Sequence, residues 1–136
     1  MSKTPEPAAV HAAVTAVADW IRSGNPVEDG ITQPSRGALA DAVRLTARAL
    51  AADAPGRSVE VRVPPFVAVQ CIEGPRHTRG TPPNVVECDA HTWLRLACGL
   101  VTLDELRACP GVEVSGTRAR EVERWLPVLH LSRPGE

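Results

Sequence analysis

Aromatic residues are nearly missing from this 136-residue chain, which has three tryptophans, one phenylalanine and no tyrosine. Modules that hold single-stranded nucleic acid stack bases on exposed rings, and four rings, most of them needed in a core, leave none for such a platform. Net charge is missing too. Fifteen Lys plus Arg stand against sixteen Asp plus Glu, a balance of −1 that gives no basic field to gather nucleic acid or anionic lipid. Lys3 is the single lysine; the arginines are scattered along the whole chain, as a GC-rich genome would leave them, and not gathered for anion recognition. No run approaches the ~20 apolar residues of a membrane span, and Met1 to Val10 lacks the apolar centre of a signal peptide. A cytoplasmic protein with no part integral to a membrane is therefore expected. Cys71, Cys88, Cys98 and Cys109 form no C-x-x-C pair, and without a secretory signal they are expected as reduced thiols. What is present is ordinary: 43% hydrophobic and 23% charged residues, in a length suited to a single globular domain over 1–136. At this size roughly 65–70% of the unfolded surface can be buried, so a core forms without staples.

Periodicity divides the chain in two. Val10, Val14, Val17 and Ile21 share one face of a helix over Pro7 to Ser23, which Gly24 stops. After a loop with two prolines, Ser35 is a good N-cap for a second helix to Asp53, with Leu39, Val43, Thr46 and Leu50 on its buried stripe. These form an N-terminal helical pair over 7–53. The period then changes from helical to two. Ser58 to Val63 alternates apolar and polar residues as a half-buried strand does, and Pro64-Pro65 closes it. Phe66 to Ile72 is almost continuously apolar, which predicts a strand covered on both faces and central in its sheet. Gly74 to Asn84 reads as a loop. A third strand over Val85 to Cys88 leads to Asp89, an N-cap for a helix to Cys98 that Gly99 stops. A short helix from Leu103, a strand at Val112 to Val114 and a last helix from Arg118 to about Leu129, broken near Pro127, follow.

The stretch from Val85 to Gly116 carries a resemblance. A strand ending in Asp89 is followed by Thr92-Trp93-Leu94-Arg95-Leu96-Ala97-Cys98-Gly99, then Leu103-Asp104-Glu105-Leu106, then a strand closing on Val114-Ser115-Gly116. This order resembles the sterol-carrier-protein-2-like family over about 57–130, and in particular its bacterial branch, found alone or as the C-terminal domain of mycothiol-dependent maleylpyruvate isomerases. The resemblance implies a layered α/β (α+β) fold, a curved sheet with helices packed on it; this chain departs from the family in supplying about four strands, preceded by the two N-terminal helices, and periodicity does not identify cavity-forming helices. The resemblance further implies a non-catalytic carrier of a hydrophobic or amphipathic, lipid-like ligand, with the tail in an enclosed apolar cavity between the sheet and the helices. Isomerase activity is not carried over, because the metal site of those enzymes needs several histidines and the N-terminal part holds only His11.

The polar candidates cluster in the loop from Gly74 to Asn84. Arg76, His77 and Arg79, with Thr81 and Asn84 adding neutral hydrogen bonds, would grip an anionic headgroup. The alternative is that the arginines pair with Glu73 and Glu87 and the prolines only stiffen a connection. Phe66, Val69, Trp93, Leu96 and Trp125 are candidates to line the ligand's tail or, equally, to fill the core. Cys71, His77, Cys88 and His91 offer a tetrahedral zinc donor set in type but not in spacing, so neither a metal nor any other cofactor is expected. A nucleophilic pair of His77 and a cysteine, oriented by Glu87, is the enzymatic alternative, but no nucleophile elbow accompanies it and no catalytic residue is assigned. Asp104 and Glu105 sit in a helix first turn, where the macrodipole favours acids without catalysis. The remaining alternative is an accessory domain without a ligand cavity, docking on a protein partner through its helices and the arginine loop.

Overall fold

A computed structural model describes residues 4–74 and 84–133. Its elements run in the order α1 (Pro7–Ala16), α2 (Ala18–Arg22), α3 (Arg36–Asp53), β1 (Val59–Val63), β2 (Val67–Cys71), β3 (Asn84–Glu87), α4 (Ala90–Ala97), α5 (Leu103–Leu106) and β4 (Glu113–Ser115), then a 3-10 helix over Ala119–Trp125. The expected N-terminal helix is present as α1 and α2 with a break at Val17, and its apolar stripe is buried as the spacing requires. Ser35 caps α3 by accepting from Ala38 N–H at 3.1 Å, and Asp89 caps α4 by accepting from Thr92 N–H at 2.8 Å. Thr102 and Glu105 close a reciprocal capping box on α5.

The four strands form one open sheet in the order β2-β1-β3-β4. β1 and β2 are an antiparallel hairpin, β1 and β3 pair in parallel, and β4 returns antiparallel to β3. This register puts Val59, Val61, Val63, Val86, Val67 and Val69 on the face that the helices cover, and Glu60, Arg62, Ala68, Gln70, Glu87 and Glu113 on the other. The outer charges pair among themselves: Arg62 bonds Glu60 and lies 3.7 Å from Glu87.

Two expectations are overturned. β2 is an edge strand, not a central one, and Ala68 and Gln70 are exposed on its outer face. The parallel β1–β3 pair takes the centre, and the apolar run is real only on the side facing α3. The last helix is also shorter than its stripe. A 3-10 helix buries Ala119 and Val122, then stops at Trp125, which is 42% exposed, while Leu126 and Leu129 are half-buried against the core.

Candidate functional site

The base of the 75–83 connection is tightly held on both sides. Ile72 leaves β2 with a φ of 68°, a left-handed conformation that a β-branched residue rarely adopts. Three bonds hold it there: its N–H donates to Ala54 O at 2.6 Å, and its carbonyl accepts from Ser58 N–H at 3.0 Å and Ser58 Oγ at 2.7 Å. Gly56 passes directly beneath; a Cβ there would lie 2.1 Å from the Ile72 carbonyl oxygen. On the far side of the connection Asn84 is buried, at 3% exposure, with both ends of its amide used. Its Nδ2 donates to Ser58 O at 2.7 Å and its Oδ1 accepts from Arg118 N–H at 2.9 Å. Arg118 also donates to Glu73 O at 2.8 Å and to Glu121 at 2.8 Å, which holds the Glu121 carboxyl below the usual range. Both ends of the arginine-bearing connection are thus clamped to one another by backbone carbonyls and the side chains of Ser58, Asn84 and Arg118.

Of the five headgroup candidates, Arg76, His77, Arg79 and Thr81 lie outside the described residues, as does the His77 of the zinc and nucleophile readings. Asn84 is described, and its amide is spent on the scaffold. Glu87, offered as a partner for the loop arginines and as the orienter of His77, lies beside Arg62.

The five apolar candidates do not share one hollow. Trp93 and Leu96 belong to the packed cluster between α3, α4 and the sheet, and Trp93 Nε1 donates to Thr46 Oγ1 at 2.8 Å. Phe66 and Val69 are half-buried on the β2 hairpin, with the Arg36 guanidinium 5.6 Å from the Phe66 ring centre. Trp125 is the most exposed of the five.

His91 is not the solvated first-turn residue its position suggests. Its Nε2 faces the carbonyls of Ser23 at 2.8 Å and Trp20 at 3.1 Å, so that nitrogen carries the proton and is not free to ligate a metal. Among the described residues no three His, Cys, Asp or Glu side chains converge as metal ligands. Burial alone pushes the thiols of Cys71 and Cys98 up to about 12, and burial with the nearby Asp89 and Glu87 charges does the same to Cys88. At neutral pH these sulfurs are protonated and poor nucleophiles. Asp104 pairs with Arg120 at 2.7 Å, and Glu105, held low by its bonds to Thr102, completes the α5 cap.

A groove of about 910 Å³ that no local pattern announces opens between α1, α2, residues 31–34 and residues 130–132. Ala16, Trp20, Ile31 and Pro34 give it apolar surface, and His11, Asp19, Arg22 and Ser132 give it polar groups. Arg22 draws the C-terminal segment across by donating to Ser132 O at 2.9 Å. That wall comes from residues far apart in sequence, which local periodicity does not join.

A one-sided four-stranded sheet backed by α3 and α4, with its apolar interior closed by the tryptophan of α4, is the architecture of a small α/β domain of the sterol-carrier type. A family model described as "Bacterial SCP ortholog" matches residues 35–128, and the chain belongs to that family. The match takes in α3, so the family unit begins one helix earlier than the 57–130 of the sequence reading. It supports the bacterial branch and does not extend to the maleylpyruvate isomerases. A search of curated proteins gives no match to the chain.

Proposed function

We propose that this family member is a non-catalytic protein that binds a hydrophobic or amphipathic, lipid-like small molecule, and that the guest lies in the groove between α1, α2 and the 130–132 segment. The observation that supports this reading is the groove itself. About 910 Å³ falls within the roughly 300–1,000 Å³ of pockets that take small organic ligands, and its lining is divided into apolar and polar parts. The sheet-to-helix interior is the weaker host, because Trp93, Leu94, Val61 and Val86 are fully buried there in one cluster. Each CH₂ taken from water contributes roughly 0.8 kcal/mol, so ~12 carbons supply useful affinity after association costs. All the groove residues lie outside 35–128, so the site is a property of the flanks of this chain.

The test is native mass spectrometry of gently purified protein, with lipid extraction, followed by displacement of a fluorescent fatty acid. A co-purifying amphiphile and saturable displacement are expected. Ala16→Trp, which fills the groove from an exposed helix position, should weaken binding at least about tenfold (~1.4 kcal/mol) with the fold retained. Unchanged affinity in that variant, or no binding at all, removes the groove. The double change of Arg76 and Arg79 to Ala reports separately on the connection: weaker binding of an anionic amphiphile places the headgroup there, and equal binding excludes it.

A further inference from the structure

The free side of β2 is built as a receiving edge for another strand. Ser58 N–H donates to Ile72 O, and the alternation of an antiparallel ladder then turns the main-chain groups of Ala68 and Gln70 toward β1. The main-chain groups of Val67 and Val69 face the open side, where no further strand pairs among the described residues, while Cys71 at the end of the strand is fully buried. Natural edges are usually blunted by charge, proline or a covering loop. This one instead borders a groove of about 410 Å³, walled by Ala51, Ala52 and Pro55 beside α3 and floored by Val67 and Val69. Among the described residues Arg48 is the one charged residue lining that groove.

The position of the charges defines the occupant. Helix α3 runs alongside β2 in the same sense: Arg36 and Arg44 meet Phe66 at the strand's start, through the 5.6 Å ring contact and an Nε to carbonyl bond of 3.1 Å, and Ala54 meets Ile72 at its end. Arg48 lies between, so the groove is cationic toward the start of β2 and small and apolar, with Ala51, Ala52 and Pro55, beyond it toward Val69 and Gln70. From this arrangement we infer that β2 takes up an extended peptide from a partner protein as an additional antiparallel strand. Its side chains facing α3 are a small aliphatic residue and, two residues toward its C-terminus, a carboxylate beside Arg48. Main-chain bonds supply affinity without sequence preference, and the two inward side chains supply the selection. The surface is distinct from the ligand groove and stands whether or not that groove is filled.

The probe is a fluorescein-labelled peptide Ser-Thr-Val-Thr-Glu-Thr titrated into the full chain by anisotropy, with amide exchange followed by NMR. Saturable binding and slower exchange at Val67 and Val69 are expected. Replacing Glu in the peptide by Lys, or Arg48→Glu in the protein, should each weaken binding at least about tenfold (~1.4 kcal/mol), and the two together should restore part of it. Val69→Pro deletes one open-edge donor and leaves the β1 ladder untouched. Since that variant loses a packed valine as well, the decisive control is in the peptide: N-methylation along one edge should abolish binding and along the other leave it unchanged. No binding, equal binding of the Glu and Lys peptides, insensitivity to N-methylation on both edges, or unchanged exchange in β2 each overturns the assignment. Thr4 also borders the groove, so binding seen only after residues 1–5 are removed would give the edge to the chain's own N-terminal segment and overturn the partner as well.

Discussion

Trp93 and Thr46 show how one polar pair is tolerated in an apolar interior. Both are fully buried, and the indole N–H ends on a hydroxyl that itself donates to Ala42 O at 2.7 Å. Thr46→Val keeps the shape and removes the acceptor, so it should cost about 1–3 kcal/mol, the desolvation penalty of an orphaned N–H. Introducing Trp93→Phe as well removes the orphan, and the double variant should be more stable than the sum of the two single losses predicts. Urea unfolding of the four proteins measures this; additive losses would mean that the bond contributes nothing. The burial of Thr46 was legible because it falls on the α3 stripe. Its partner was not, since the two are 47 residues apart and no periodicity links them.

Between elements, α4 stops α2. From successive turns of α4, His91 and Arg95 reach the four carbonyls of Trp20, Ile21, Arg22 and Ser23, with Arg95 Nη1 at 2.7 Å from Ile21 O and 2.9 Å from Arg22 O. A helix C-terminus carries partial negative charge and unpaired carbonyls, which a guanidinium satisfies on both counts. Arg95→Met keeps the apolar stem and should cost about 1.5–3 kcal/mol, the usual range for hydrogen bonds to a charged group. Amides of α1 and α2 should then exchange faster than those of β1 and α3; equal acceleration everywhere would deny that the contact is local. Helices with a clean stripe and a capping residue, α3 above all, were readable in advance because both signals are local. β2 was misplaced because a strand facing a helix on one side and solvent on the other can still read as apolar when its outward residues are Ala68 and Gln70. The C-terminal helix was overextended because the stripe of Val122, Trp125, Leu126 and Leu129 follows an α-helical period that the 3-10 turn does not keep.

At the scale of the whole molecule the strand order was beyond the sequence, since the parallel β1–β3 pair joins segments separated by a connection with no periodicity of its own. The family resemblance supplied the architecture there, and the α4 motif that carried it lies inside the matched stretch. Of the candidate site, the apolar residues were legible as buried or half-buried, but not that Trp93 would fill the interior and the larger groove open among flanking segments. The same close packing makes a prediction about alkali. Cys71, Cys88 and Cys98 are held near 12 against an ordinary value of 9.0, so above pH 9 the unfolded chain gives up thiol protons that the folded chain keeps. The unfolded state then binds fewer protons, and stability falls as pH rises from about 9 toward about 12, by up to roughly 4 kcal/mol per pH unit if all three titrate together. Below pH 9 this contribution is fully present and flat. Urea midpoints measured from pH 7 to pH 11 should therefore hold level and then drop steeply, and Cys98→Ala should shed about a third of the slope. At pH 8, before that fall, a thiol reagent should label exposed Cys109 at once and the three buried cysteines only at the rate of unfolding. A level midpoint through pH 11, or four thiols reacting together in the native protein, would mean that these sulfurs are not shut in the core.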